Sequence, residues 1–168
     1  MFTATDITEL PPAEQYASLV QQAKALLAGE HDRVALAANL AALVYHGLPR
    51  LNWVGFYFHD GVELVVGPFQ GLPACVRIPL GKGVCGTAAA TRQTQVVADV
   101  EAFPGHIACD SASRSEIVVP LVARGGTLVG VLDADSPDLA RFGELDRKGF
   151  ETLAALWLDA CGEGPPAA

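Results

Sequence analysis

The sequence predicts an α+β fold in which two N-terminal helices and a C-terminal helix pack on one antiparallel sheet of about six strands. Three observations predict this class. Apolar residues recur at helical spacing near both ends of the chain. The middle of the chain is rich in β-branched and aromatic residues. It also carries two strong turn signals, Asp60-Gly61 and Gly125-Gly126, and strands joined by short turns pair antiparallel.

The 168 residues are enough for a single domain with one sizeable core. Helices are predicted over residues 12–29, 32–47 and 144–161, because apolar side chains there follow one face and Pro, Asp or Gly mark most of the ends. We expect an ordered core over about residues 11–161 and a flexible tail over residues 162–168, which are short, polar and proline-rich.

Shorter elements lie between these helices. Residues 68–73 and 99–113 are predicted to be loops, since Pro, Gly, Asp and Ser interrupt any periodic pattern there. The second loop is long for a compact domain, which is typical of a functional segment. In chain order the predicted elements are strands at 52–58, 62–66 and 75–78, a helix at 84–92, and strands at 95–97, 116–124 and 127–135.

Composition excludes several classes of function. The net charge of −8 argues against nucleic acid or an anionic membrane as a partner, because both bind basic surfaces. The N-terminus lacks a basic region followed by an apolar run, and no uncharged stretch reaches the roughly 18 apolar residues of a membrane span. We therefore expect a cytoplasmic protein. In a reducing compartment, clustered thiols indicate redox, catalytic or metal-binding chemistry rather than permanent disulfides.

Three acidic residues are predicted to meet on one face of the second hairpin. If Gly125-Gly126 is a two-residue turn, without a bulge, Glu116 pairs with Asp135, and Asp133 lies one step along the same face. Crowded carboxylates raise the pKa of at least one member. A bound cation, an ammonium ligand or a shared proton explains such a cluster. The alternative is two frayed strand ends whose charges are screened by water.

Three of the four cysteines lie between residues 75 and 109. Cys85 begins a predicted helix, where amide donors and the helix dipole lower a thiol pKa; its alternative role is packing of the first turn. Cys109 lies in the long polar loop, which suits an accessible nucleophile, and His106 either assists it or caps the loop. Cys75 either reacts or packs in the core. Cys161 is interpreted as structural.

The spacing of the three clustered thiols contains no metal-binding knuckle of two closely spaced cysteines or histidines. A zinc site that they would form with His106 is therefore weakly supported. A dithiol that cycles with a disulfide suits the three thiols better.

Several motifs occur in a fixed order along the chain. Together with residues 52–57 they resemble the GAF-domain free methionine-(R)-sulfoxide reductases, over residues 52 to about 142. This resemblance implies a single GAF domain over residues 1–168. The motifs are Gly67-Pro-Phe-Gln-Gly71, Cys75-Val-Arg-Ile-Pro79, Gly81-Lys-Gly-Val-Cys-Gly86, His106-Ile-Ala-Cys-Asp110, Ser115-Glu-Ile-Val and Val131-Leu-Asp-Ala-Asp-Ser136.

The resemblance implies roles for the matching residues. Cys109 is the nucleophile, Cys75 the resolving thiol and Cys85 a second redox partner, so the family assigns the nucleophile to the loop rather than to the helix start. It implies no metal and no other cofactor. The implied substrate pocket is lined by Trp53, Glu116, Asp133 and Asp135, of which Glu116 and Asp133 also belong to the catalytic set.

The implied activity is reduction of free L-methionine-(R)-sulfoxide to L-methionine. Cys109 attacks the sulfoxide sulfur, and Glu116 or one of the aspartates protonates the oxygen. The resulting sulfenic acid condenses with a second thiol, and a thioredoxin-like reductant reopens the disulfide. The other carboxylates bind the substrate ammonium, while Trp53 packs on the S-methyl group.

Two alternatives to an enzyme are a GAF module that binds a small ligand and senses redox state without turnover, and a small zinc-stabilised interaction domain. We expect a single domain without an attached output domain, and this expectation favours an enzyme over a sensor. No nucleic acid or membrane partner is expected, and a homodimer is compatible with the resemblance.

Overall fold

The structure is a computed structural model that describes residues 2–105 and 111–164. Cys109, His106 and the end of the predicted tail lie outside the described residues. The elements are α1 (Pro12–Leu27), α2 (Arg33–Gly47), β1 (Trp53–His59), β2 (Glu63–Gly71), β3 (Arg77–Pro79), α3 (Gly83–Thr91), β4 (Gln95–Val97), a 3₁₀ turn (Val100–Ala102), β5 (Ser115–Val122), β6 (Leu128–Ser136) and α4 (Glu144–Ala160).

The strands of the described residues form one sheet in the order β3-β2-β1-β6-β5-β4, and every neighbouring pair is antiparallel. The predicted α+β class and the six-stranded antiparallel sheet are confirmed. The start of α2 is also where the sequence predicts it, because the Asp32 carboxylate accepts hydrogen bonds from the amides of Val34 and Ala35 at 3.0 and 2.8 Å. Within residues 2–105 and 111–164, no helix is both long and apolar enough to cross a bilayer.

The sheet separates two apolar layers. Helices α1, α2 and α4 cover one face, where Phe56, Ile117 and Leu132 of the sheet pack with Trp157 of α4. The other face carries a smaller layer under α3, and the acidic residues singled out by the sequence lie on this face. The larger layer therefore provides most of the buried apolar area, which leaves the smaller one available for a site.

Strand β2 continues beyond its predicted end. The sequence predicts a loop over residues 68–73 because Pro68 interrupts the strand pattern, but β2 runs to Gly71. The pairing of β1 with β2 shifts at this point, from Tyr57 opposite Val66 to Gly55 opposite Phe69. A bulge therefore accommodates Pro68, which lacks an amide hydrogen to donate. This part of the prediction is wrong because a proline at a bulge does not end a strand.

The short strand predicted at residues 75–78 is displaced along the chain. Strand β3 covers Arg77–Pro79, and Cys75 lies in the segment just before it. The amide of Val66 donates a hydrogen bond to the carbonyl of Val76 at 3.0 Å, which ties this segment to β2. Cys75 is therefore held at the edge of the sheet.

Candidate active site

The pairing of β5 with β6 brings the predicted acids together. Glu116 lies opposite Asp135, and Asp133 lies opposite Val118, as the sequence predicts. The predicted two-residue turn is wrong, however. The hairpin closes over three residues, 124–126, with the amide of Ala123 donating to the carbonyl of Thr127 at 2.9 Å.

A bulge in β6 restores the register that the longer turn would shift. Leu121 pairs with Gly130, but the next residue, Val122, pairs with Leu128, so Val129 is an extra residue on β6. Without this bulge, Asp133 would lie opposite Ile117 and would point into the helix-covered core. The bulge therefore sets the face on which the acids lie.

The acids form a row that continues onto β1. Asp135 has Glu116 as its partner on β5 and Trp53 as its partner on β1. Glu116 and Asp133 are only 6% and 5% exposed, and Asp135 is half-buried. One side of the site is therefore acidic and the adjoining side is aromatic.

Cys85 reaches the acids from α3. Its Sγ lies 3.8 Å from Oε1 of Glu116, a hydrogen-bonding distance for sulfur. The sulfur of Cys85, one carboxylate oxygen of Glu116 and one of Asp133 all lie within 4.8 Å of one another. A divalent cation accepts such a donor set, but it would have to displace the protons that these groups hold.

Burial and crowding raise the pKa of the two inner carboxyls, Glu116 and Asp133. Burial is the largest cause for Glu116, whose pKa is raised well above its usual range, and the charges of Asp133 and Asp135 add to it. Burial raises the pKa of Asp133 to about 7, although hydrogen bonds from Cys85 and Glu116 oppose the rise. The pair therefore holds at least one proton near neutral pH, and frayed strand ends do not describe it.

One oxygen of the cluster has no hydrogen-bond partner in the part of the chain that the structure describes. Oδ1 of Asp133 is buried, and no hydrogen-bond partner for it occurs among the described residues. A buried oxygen of this kind costs free energy unless a ligand or water satisfies it. It marks the point at which a bound molecule would contact the cluster.

The thiol of Cys85 has the opposite acidity to the one predicted from its helix start. Burial raises its pKa well above the usual range, and the charges of Asp133 and Glu116 raise it further. The helix dipole is therefore outweighed, and the predicted low pKa is wrong. The alternative of packing in the first turn of the helix agrees with its 4% exposure.

An aromatic wall borders the acids. The ring of Trp53 stacks with those of Tyr57 and Phe69, at centroid distances of 5.7 and 5.3 Å, and its Nε1 donates to the carbonyl of Leu72 at 3.1 Å. Gly55 lies under the ring, since a Cβ there would come within 2.5 Å of it. The predicted site residue Trp53 is thus fixed beside Asp135.

Tyr57 is a site residue that the sequence analysis does not single out. It is buried, and its pKa is raised first by burial and then by the charges of Asp133 and Cys85, so the phenol stays protonated. The signal that would have found it is the two-residue period of β1, which places Trp53, Gly55 and Tyr57 on one face.

The cysteines of the described residues differ in their bonding state. Cys75 is half-buried and disulfide-bonded, whereas Cys85 and Cys161 are free thiols. Cys161 follows α4 and packs against the helix-covered core, far from the acids in the fold. A disulfide at Cys75 removes that sulfur from a zinc site in this state.

Known proteins are similar to this chain over most of its length. The model of the GAF domain matches residues 30–157. A free methionine-R-sulfoxide reductase from Escherichia coli is 52% identical over 142 residues, which cover 84% of this chain and 86% of the relative. Protein YtsP from Bacillus subtilis is 56% identical over 144 residues, with coverages of 84% and 87%. The X-ray structure of free methionine-R-sulfoxide reductase from Neisseria meningitidis in complex with its substrate matches with a TM-score of 0.92 at 45% identity, over 97% of both chains.

Proposed function

The chain belongs to the GAF-domain family of free methionine-R-sulfoxide reductases, and we propose that it reduces free L-methionine-(R)-sulfoxide to L-methionine. One observation carries the proposal: a buried, proton-holding pair of carboxyls lies beside the stacked ring of Trp53, and Oδ1 of Asp133 has no hydrogen-bond partner within residues 2–105 and 111–164. A sulfoxide oxygen needs a proton donor, and its S-methyl group needs an apolar surface. The Escherichia coli and Neisseria meningitidis relatives both carry the name free methionine-R-sulfoxide reductase, which favours turnover over a sensor without turnover.

The acids and the aromatic wall divide the recognition of the substrate. Asp135, half-buried at the outer side of the row, suits the α-ammonium of a free amino acid. Trp53 provides a flat apolar surface for the S-methyl group, and a sulfur-bound methyl packs well on an indole. A residue within a protein chain has an amide in place of this ammonium. An ammonium requirement therefore explains selection of the free amino acid.

We assign the nucleophile to Cys109. Its thiolate attacks the sulfoxide sulfur, while a carboxyl of the Glu116–Asp133 pair gives its proton to the sulfoxide oxygen. The oxygen passes to the cysteine sulfur, so that methionine leaves with two more electrons and Cys109 becomes a sulfenic acid. In the next step Cys75, ionised to its thiolate, attacks the sulfenic sulfur, a disulfide forms, and the hydroxyl leaves as water with the proton that Cys75 released. The carboxylate takes back from the solvent the proton that Cys109 lost on ionising. The disulfide at Cys75 supports a redox role for that thiol.

A dithiol reductant of the thioredoxin class completes the cycle by exchange: its two thiols become a disulfide, and Cys75 and Cys109 return to thiols. We also propose a cytoplasmic location, where such reductants keep thiols reduced, and a homodimer is compatible with this function. The predicted role of Cys85 as a second redox partner stays a prediction, and its surroundings favour the different role argued below.

The activity is tested with free methionine-(R)-sulfoxide and methionine-(S)-sulfoxide in separate reactions, each with dithiothreitol as the reductant. We expect loss of the R isomer alone, no loss with Cys109→Ser, and unchanged turnover with the matched variant Cys161→Ser. Binding of the R isomer without its reduction by the reduced wild-type protein would support the sensor and contradict the proposal.

A further inference from the structure

We propose that Cys85 is a positioning residue: its thiol holds the Glu116 carboxyl by a hydrogen bond and directs Oδ1 of Asp133 toward the substrate. It is then not a redox partner of Cys109. This inference rests on the proposed function, because it assigns a role within the same site.

The position of Cys85 suits a fixed donor. Its Sγ lies 3.8 Å from Oε1 of Glu116, and the side chain is 4% exposed in the first turn of α3. That turn is tied to the preceding segment, since the amide of Gly81 donates to the carbonyl of Gly86 at 2.7 Å. A Cβ at Gly86 would come within 2.3 Å of the carbonyl oxygen of Pro79, so the helix start packs directly on the end of β3. A thiol held in this way has little freedom to move toward another sulfur.

Burial, and then the groups that face Cys85, raise the pKa of the thiol and keep its proton on sulfur. These groups are Glu116 from β5, Asp133 and Asp135 from β6, and Tyr57 from β1. A thiolate beside these groups would be repelled by every carboxylate, whereas an S–H group can donate to one. Disulfide exchange and attack on a sulfenic acid both require a thiolate. The surroundings therefore favour the hydrogen-bond donor over the redox thiol.

The donor also divides the work of the two inner acids. Glu116 has Oε1 engaged by the thiol, while Oδ1 of Asp133 has no partner in the described part of the chain. The substrate oxygen therefore contacts Asp133, and Glu116 shares its proton with Asp133 without contacting the substrate oxygen. The thiol also lowers the pKa of both carboxyls, which offsets part of the rise caused by burial.

The test separates the first chemical step from recycling. Fully reduced protein is mixed with free methionine-(R)-sulfoxide without a reductant, and methionine is quantified in rapidly quenched samples. Three variants are compared with wild type: Cys85→Ala removes the donor, Cys85→Ser keeps a donor but no thiol, and Cys161→Ala is the control. We expect the alanine variant to slow the first turnover about tenfold, the serine variant to recover most of this loss, and the control to match wild type.

The pH profile of this first turnover gives a second readout. Removing the donor raises the pKa of the acid pair, so the alkaline limb of the profile should move to higher pH in Cys85→Ala. A redox partner would leave that limb unchanged, because it acts only after methionine has formed. Wild-type first turnover in both Cys85 variants, with loss only of recycling, would overturn the proposal. Equal slowing by alanine and serine would overturn the hydrogen-bond role.

Mapping of disulfides by mass spectrometry in the wild-type protein does not depend on how the variants fold. After one turnover and after steady-state turnover, we expect the peptide that contains Cys85 to carry a free thiol. Turnover with Cys85 in a disulfide overturns this inference alone. A wild-type protein that makes no methionine overturns the proposed function and this inference with it.

Discussion

Glu116 and Asp135 lie directly opposite each other on β5 and β6, on the face of the sheet that α1, α2 and α4 leave uncovered. Like charges in directly opposed positions destabilise a sheet, and burial makes the repulsion stronger. The bulge at Val129 fixes the register of β5 and β6 and so keeps Glu116 opposite Asp135. The opposed acids therefore lower the free energy of unfolding, and substrate binding and protonation of the carboxyls offset this loss.

The stability of the ligand-free protein should fall as the pH rises. The pKa of Asp133 is about 7 in the folded protein, above its usual 3.8, so the fold favours the protonated form. This contribution is complete below about pH 4 and is lost as the pH rises through about 7. We expect Asp133→Asn to be more stable than wild type at about pH 8, by at most about 4 kcal/mol. Urea unfolding at several pH values measures the difference. The control Glu14→Gln, at an exposed position, should show the same pH dependence as wild type. The prediction would be contradicted if the free energy of unfolding of Asp133→Asn fell with pH as steeply as that of wild type.

Glu116→Gln should remove the shared proton while keeping the size of the side chain. Proton transfer from a positioned acid contributes about 10²- to 10⁴-fold to a rate, so we expect kcat/KM for free methionine-(R)-sulfoxide to fall within that range. Steady-state assays with dithiothreitol measure it, with Glu14→Gln as the control. A fall of less than about threefold would exclude Glu116 from the proton donor pair.

Gly55→Ala should displace the ring of Trp53. A Cβ at this position would lie 2.4 Å from Cβ of Phe69 and 2.5 Å from the indole, so both neighbours must move or the strand must shift. We expect a higher KM for the sulfoxide and altered tryptophan fluorescence. The matched control is Gly125→Ala in the β5–β6 turn, where a Cβ meets nothing within 4 Å. Similar KM values for the two variants would show that the position of the indole does not affect substrate binding.

Cys75→Ser should separate reduction from recycling. The variant keeps Cys109 and the acids, so the first turnover by reduced protein should match wild type. The sulfenic acid then lacks its partner, and steady-state turnover with thioredoxin should fall at least about tenfold. Rapid-quench assays measure the rate of the first turnover, and steady-state assays measure the rate of recycling. A slowed first turnover would instead give Cys75 a part in substrate binding.

The fold class is predictable because hydrophobic period and turn chemistry act locally. Both N-terminal helices, the β1–β2 hairpin and α4 lie close to their predicted positions. The extension of β2 through Pro68 is not predictable in this way, because a bulge depends on the partner strand. The acid register is predicted correctly from a wrong turn: the third turn residue and the bulge at Val129 each shift the pairing by one residue, and the two shifts cancel.

In the site, too, features that depend on packing between distant segments are not predictable from local sequence. Sequence spacing places Glu116, Asp133 and Asp135 on one face, and the structure adds that burial raises the pKa of the first two. The environment of Cys85 is not predictable, because the acids that surround it come from strands distant in the sequence. A helix start alone predicts a reactive thiol, and tertiary packing reverses that prediction.

In the proposed reaction, a thiol and a proton-holding acid pair together reduce a free amino acid sulfoxide. The most direct measurement of this reaction is the yield from fully reduced protein given excess free methionine-(R)-sulfoxide without a reductant, followed by mapping of the disulfides. We expect about one methionine per chain, a disulfide between Cys75 and Cys109, and no product from the S isomer. No methionine, or an equal yield from Cys109→Ser, would contradict this mechanism.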